Sequence, residues 1–504
     1  MNKLLKALFC VTFFSVATRA LGFLLKIYLS RKMSTELLGS YQVAMSVFGV
    51  LMTFVSSGIP VVLSRNVSFY YGKKDKKAIG SIVSSGLILT GIICIFVSVI
   101  ILCFPSLVGR FFTSEASMQM LKILLPALVF SSIYEVLRGA LWGQKRFFAI
   151  SFTEFLEQVI RIIFIVILFE TSFCPFSLTN KTALSLSLAC IFSAIIVIIV
   201  YFKCGGNVSS PKMEFKGLFK TSTPITAVRT ISSAFSSIIA IIIPMKLMDF
   251  GYSSSEALSQ FGIIMGMTFP LLLIPSTLIG SLAVTIIPSI SEQSNNIDDG
   301  KLKDVRVLRE KVDFVVKITV ILATVLVPVF MALGRPICEI VFKNRTAGVY
   351  LSAAALMMLP LGVSQITTSV LNAVGLEMKS LKNYVISALF LIAAIWFLPK
   401  YIGTYSLIVG YMVMSTVSSV LNIVMLKKRN IISMGFIKII FVMLGLSLFC
   451  AIVGFFTFNI IKNMFIACVV SGGLICLLMA GLIYLFNVAN LKVIVFNKKA
   501  VGLF

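Results

Sequence analysis

The sequence predicts an all-α polytopic membrane protein, with fourteen transmembrane helices in two parallel six-helix halves plus an appended helix pair. Three observations predict it. Apolar residues fill 59% of the 504 positions and mean hydropathy is +1.06, more than a soluble chain could hide from water. Apolar runs of about 20 residues, long enough to cross a hydrocarbon core, recur along the whole chain. Basic residues gather in alternate connections between those runs.

The runs fall near 8–30, 40–63, 78–104, 119–141, 150–170, 182–202, 218–245, 256–289, 313–334, 349–373, 382–399, 404–426, 436–459 and 463–486. Lys3 and Lys6 precede the first, as in a secretory signal, but the run continues past Arg19 to about Ser30, which is too long for a signal core. A retained first helix is expected. The even-numbered connections hold Lys73, Lys74, Lys76 and Lys77, then Lys145 and Arg146, then Lys212, Lys216 and Lys220. Further on they hold Lys301, Lys303, Arg306, Arg309 and Lys311, then Lys379 and Lys382, then Lys427, Lys428 and Arg429. The odd-numbered connections are sparser, the richest having Arg335, Lys343 and Arg345. Positive charge marks the cytoplasmic side, so both termini are expected in the cytoplasm, which requires an even number of spans.

Span 4 ends Val136-Leu137-Arg138-Gly139-Ala140, and span 10 ends Val370-Leu371-Asn372-Ala373-Val374, each followed by a basic connection. Arg19 and Arg229 each lie about twelve residues into spans 1 and 7. Six spans per repeat returns the chain in the same orientation, as in transporters built of parallel halves. The expected organisation is an N-terminal half at 1–204, a linker at 205–217, a C-terminal half at 218–428, and helices 13 and 14 with a tail at 429–504.

Composition excludes several classes. The formal charge of +26 is dealt out in small groups, with no basic tail or domain, so nucleic acid is not the expected partner. Ten cysteines stand singly without a CxxC pair, and there is no histidine, which removes His-based catalysis and most transition-metal sites. No catalytic residue, metal or cofactor is expected.

The binding chemistry centres on span 1. Thr12, Ser15, Arg19, Gly22 and Lys26 recur at helical spacing and form one polar stripe on an otherwise apolar helix. A charge at mid-membrane costs about 2.5–3.5 kcal/mol on insertion scales, so Arg19 is expected to face a bundle interior or a wet cavity. Gln42, Ser46, Gly49, Thr53, Ser56 and Pro60 form a second stripe in span 2, and Ser222, Thr226, Arg229, Ser233 and Ser236 a third in span 7. Small-residue stripes also serve plain helix packing; the arginines are what set spans 1 and 7 apart. Span 8 is interrupted by Pro270 and Pro275, and a kink there requires partners for the freed backbone groups. Arg138 follows Glu135 by three residues and Arg161 follows Glu157 by four, so both are expected to pair on their own helices. Arg19 and Arg229 have no acid that close, which points to an anionic ligand; the planar guanidinium suits phosphate.

Thr18-Arg19-Ala20-Leu21-Gly22-Phe23 resembles the first-helix motif of lipid II flippases of the MviN type. Gly266-Met-Thr-Phe-Pro270-Leu-Leu-Leu-Ile-Pro275-Ser276, continuing to Ile287-Pro288-Ser289-Ile290-Ser291-Glu292, resembles the stage V sporulation protein B and polysaccharide-exporter family. The resemblance covers nearly the whole chain. It implies the multidrug/oligosaccharidyl-lipid/polysaccharide exporter fold, with a cavity lined by helices 1, 2, 7 and 8 in which basic residues read the diphosphate of undecaprenyl-linked sugars. The flippase pattern has a second arginine just before the position of Lys26, where this chain has Leu25. Some flippases bind sodium through an acid in helix 7; here span 7 has none inside the membrane, and Asn383 is the remaining candidate.

The expected protein is therefore a non-enzymatic, monomeric flippase in the cytoplasmic membrane of a bacterium. It would move a polyprenyl-diphosphate-linked saccharide, a peptidoglycan, spore or capsule precursor, among the membrane lipids. Arg19, Lys26, Arg229, Gln42, Ser46, Thr53 and Ser233 are the expected binding residues. A multidrug cation antiporter would need acids in the cavity, and spans 1, 2, 7 and 8 offer none deep in the membrane. A membrane glycosyltransferase or polymerase would need paired carboxylates on an outer loop; the stretches near 105–118 and 335–348 have one acid each, Glu115 and Glu339.

Overall fold

A computed structural model describes residues 3–105, 109, 112, 114–171, 176–211, 214–298, 305–486 and 488. Lys212, Lys301 and Lys303, which bear on topology, lie outside the described residues, as do the two ends of the chain. All regular structure among the described residues is helical. The chain folds as two compact units, Met1–Gly262 and Ile263–Phe504.

The first unit contains α1 (Lys3–Lys32), α2 (Thr35–Ser56), α3 (Ile59–Gly72), α4 (Lys76–Cys103), α5 (Glu115–Gly143), α6 (Phe147–Glu170), α7 (Leu178–Lys203), α8 (Glu214–Asp249) and α9 (Ser254–Gly262). Helix starts are fixed by side chains that take up free backbone N–H groups: Ser34 accepts from Leu37 at 3.3 Å, and Asp75 from Ala78 at 3.0 Å. Helix α5 is the hub, packing against α2, α3, α4 and α7. Its Leu121, Leu124 and Leu128 are fully buried. Its Gly139 and Gly143 let it approach the backbone of α3, where a Cβ would press on the carbonyls of Pro60 and Ser64.

The second unit opens with a π-helical turn, Ile263–Thr268, followed by α10 (Phe269–Leu272), α11 (Ile274–Asp298), α12 (Arg306–Val325), α13 (Val327–Phe342) and α14 (Arg345–Ala354). Then come α15 (Met358–Ala373), α16 (Glu377–Phe397), the short α17 (Pro399–Ile402), α18 (Tyr405–Lys428), α19 (Phe436–Ile460) and α20 (Met464–Leu485). The eighth run breaks at Leu273, between Pro270 and Pro275, where the prolines withhold N–H groups from the ladder.

Every apolar run read from the sequence is helical. Among the described residues, twelve stretches are long and apolar enough to cross a membrane, and thirteen if the broken eighth run counts as one span. Helix α6 has the length, at 24 residues, but carries Glu154, Glu157 and Arg161 in its middle. Two local expectations change. The second run is not one helix: Pro60 gives no N–H to the Ser56 carbonyl, and the chain breaks at Ser57–Gly58 before resuming as α3. The stretch 335–348 is not a loop but the end of α13 and the start of α14, where Glu339 pairs with Arg345 at 2.8 Å.

Candidate functional site

The site is built on the break between α2 and α3. Gly58 lies against α8 so closely that a Cβ would run into Thr226 and the Ser222 carbonyl. That approach delivers Arg229, whose Nη1 donates to the Ser57 carbonyl at 3.0 Å. The expectation of an unpartnered Arg229 is thus refined: it has no carboxylate, but it satisfies one of the carbonyls that the break sets free.

Around this point lies a cavity of about 400 Å³. Thr53, Ser57 and Ser64 line it from α2 and α3, Glu135, Arg138 and Trp142 from α5, and Arg229 from α8. Arg138 is held at 3.1 and 3.3 Å from the two oxygens of Glu135, and its other terminal nitrogen pairs with Glu154 of α6. Arg161 pairs with Glu157 at 2.7 Å. The pairings of Arg138 and Arg161 on their own helices are as the spacing predicts. The second partner, Glu154, is what sequence reasoning missed, and with it the place of Arg138 in the cavity beside Arg229. A signal existed: Glu154, Glu157 and Arg161 share one face of α6 with only one arginine between two acids.

The remaining predicted residues sit as follows. Helix α1 packs on α6: Phe14 meets Phe148, Phe152 and Phe155, Gly22 faces Gln158, and Leu25 and Leu29 are buried with Ile165. Phe13, Val16 and Leu24 form an exposed apolar face, each more than half exposed. The polar stripe runs between these two faces, with Arg19 and Lys26 exposed on it. Neither makes a hydrogen bond or ion pair among the described residues, and neither lines the Arg229 cavity. Thr53 lines that cavity, although its hydroxyl donates back to Gly49 at 2.7 Å. Ser46 donates to Val43 and stands 3.5 Å from Ser237 of α8. Gln42 and Ser233 are half-buried. Asn383 is committed to a buried network in the second unit: it donates to Asn422 at 2.9 Å, which donates to Thr367 and Thr368.

Residues 4–294 match the family described as "Polysaccharide biosynthesis protein". Stage V sporulation protein B of Bacillus subtilis (strain 168) is 24% identical over 387 residues, which cover 74% of this chain and 73% of that protein. Among solved structures, lipid II flippase MurJ in its inward closed conformation aligns with a TM-score of 0.71 at 16% identity, covering 94% of this chain and 99% of the other. An inward-facing multidrug resistance MATE family transporter of the MOP superfamily aligns with a TM-score of 0.65, also at 16% identity, over 83% of this chain and 94% of the other. These likenesses bear out the multi-pass membrane fold and the expected resemblance. With the match running over more than half its length, this chain belongs to the polysaccharide biosynthesis protein family.

Proposed function

We propose that this chain is a flippase that carries a polyprenyl-diphosphate-linked saccharide across a bacterial cytoplasmic membrane. The observation that carries the reading is the charge of the α2–α3 cavity: Arg138 and Arg229 line it against the single acid Glu135. The same walls would repel the cationic drugs of a multidrug antiporter, which is the alternative the MATE likeness keeps in view. Arg229 is free of carboxylates and keeps its remaining N–H donors for phosphate oxygens. Arg19 and Lys26, exposed and without an ion-pair partner among the described residues, would extend the basic surface that the headgroup follows. Gln42, Ser46, Thr53 and Ser233 would contact the sugar or its phosphates. The polyprenyl tail would stay among the lipids, and transport would proceed by alternating access of two halves, as one monomer, without covalent chemistry.

If α6 is counted as a span, its charges being paired or facing a cavity, the total would be fourteen, which fits both termini in the cytoplasm. A Lys77→Cys protein should then resist thiol labelling from outside intact cells. Labelling of that position in a folded, active protein would reverse the topology.

The test of the site pairs lipid-diphosphate affinity with melting temperature. Arg19→Ala and Arg229→Ala each remove charge-assisted bonds worth about 1.5–3 kcal/mol, so affinity should fall about tenfold or more while the protein still folds. Arg19→Lys should lie between wild type and alanine, because it keeps charge but loses the fork. Unchanged affinity with a large loss of stability would overturn the anion site and make these arginines helix-packing residues.

A further inference from the structure

Glu135, with Met52, lines two cavities. It lines the one that holds Arg138 and Arg229, and also a second of about 190 Å³ lined by Ser131, Tyr134, Glu157, Arg161 and Ser193. One hydroxyl in the second cavity is stranded. Ser193 Oγ has no hydrogen-bond partner among the described residues, although this residue is only 3% exposed. Buried hydroxyls in that condition are satisfied by enclosed water, and the volume holds several molecules at about 30 Å³ each.

The ion pairs around Glu135 are shared unequally. Arg138 serves both Glu135 and Glu154, Arg161 serves Glu157, and Arg229 in the same cavity as Glu135 pairs with no carboxylate among the described residues. Two carboxylates sharing one cation form a coupled pair. The other packed helices add no further acid. Cys190 comes from α7, Arg229 from α8, Tyr41 of α2 stands near Arg161, and Cys94 of α4 donates to Ser132 at 3.2 Å. Helix α3 presents Pro60, Val61 and Ser64 to the Arg229 cavity, with no titratable group among them.

We infer that an anionic ligand in the Arg229 cavity is bound together with one proton, which is taken up by Glu135. The inference rests on the anion site proposed above. A diphosphate between Arg138 and Arg229 draws the Arg138 guanidinium toward itself. Glu135 is then left among Glu154, Glu157 and the ligand's own negative charge. It accepts a proton on a carboxylate oxygen, delivered from bulk solvent. No bond of the ligand is made or broken; the balance is one carboxylate and one solvent proton giving one carboxylic acid. The linkage lightens the charge carried across the membrane and ties affinity to pH.

The experiment measures binding of a polyprenyl-diphospho-sugar to the full-length protein as pH is varied. A diphosphate esterified at both ends lacks the phosphate ionisation near about pH 6, so the ligand's charge stays fixed. Where the free protein has Glu135 ionised, Kd should rise about tenfold per pH unit, the slope of one linked proton. Calorimetry in buffers of different ionisation enthalpy should count the same proton. Glu135→Gln should lose the slope, whatever its affinity at a single pH and its melting temperature. Glu170→Gln, on the same helix as Glu154 but paired with Lys32 and outside both cavities, should keep it. Binding without pH dependence in the wild type, or a slope that survives in Glu135→Gln, overturns the inference and leaves the anion site standing. Absence of binding at every pH overturns the anion site, and the inference falls with it.

Discussion

In the sequence repeat Arg138 stands where Asn372 stands, and the helices around these positions treat buried polarity in opposite ways. In the first unit, α5 and α6 bring together Glu135, Arg138, Glu154, Glu157 and Arg161, an ionic cluster with an excess of acid. In the second, α15, α16 and α18 bring together Thr367, Thr368, Asn383 and Asn422, joined by neutral hydrogen bonds of 2.9 to 3.2 Å. The free carbonyls follow the same division: Arg229 serves Ser57 in the first unit, and the Gln365 amide serves Ser276 in the second. Exposure explains the choice. The ionic side chains keep 24–33% of their surface exposed, and all but Glu154 line a cavity, whereas Asn383 and Asn422 are 6% and 1% exposed. A charge without water costs several kcal/mol, while a fully paired amide does not, so ionic groups accompany a wet cavity and neutral ones a dry core. The difference is consistent with the binding surface proposed in the first unit.

Four substitutions would break or sharpen this contrast. The largest effect is expected from Arg138→Met, which leaves Glu135 and Glu154 facing each other without a cation. Removing one partner of a buried pair costs about 3–5 kcal/mol, and partial exposure here puts the loss near the lower bound. A melting-temperature series should show partial recovery when Glu154→Gln is added, and no recovery would mean that the two acids are not coupled through Arg138. Next comes Asn422→Ala in the neutral cluster, which strands buried Asn383 and should cost about 1–3 kcal/mol by the same measurement. Its effect should not depend on salt, unlike that of the ionic cluster. Gly58→Ala should cost a comparable 1–3 kcal/mol through overpacking of α8 against the α2–α3 break, and should weaken ligand binding by displacing Arg229. Arg19→Ala should be the mildest for stability, within about 0.5 kcal/mol, since the side chain has no partner to lose. A large drop in melting temperature for that variant would give Arg19 a packing role.

The sequence alone determined that the chain is a succession of membrane-crossing helices and where along it they fall, because a continuous apolar run in lipid has helix as its self-sufficient backbone solution. It also determined which arginines pair on their own helix, since spacings of three and four place side chains on one face, as Glu135 with Arg138 and Glu157 with Arg161 show. It marked Arg19 and Arg229 as cations without a nearby acid. Only the tertiary structure decided what those cations meet. Glu154 reaches Arg138 across a helix pair, and Arg229 reaches a carbonyl 172 positions away in the chain. Neither contact leaves a periodic trace, because side-chain periodicity records which face of a helix is used and not which helix lies opposite. The break at Ser57–Gly58 was written locally in Pro60. That it should open a cavity depended on α8 lying close enough for a glycine to be the residue that fits.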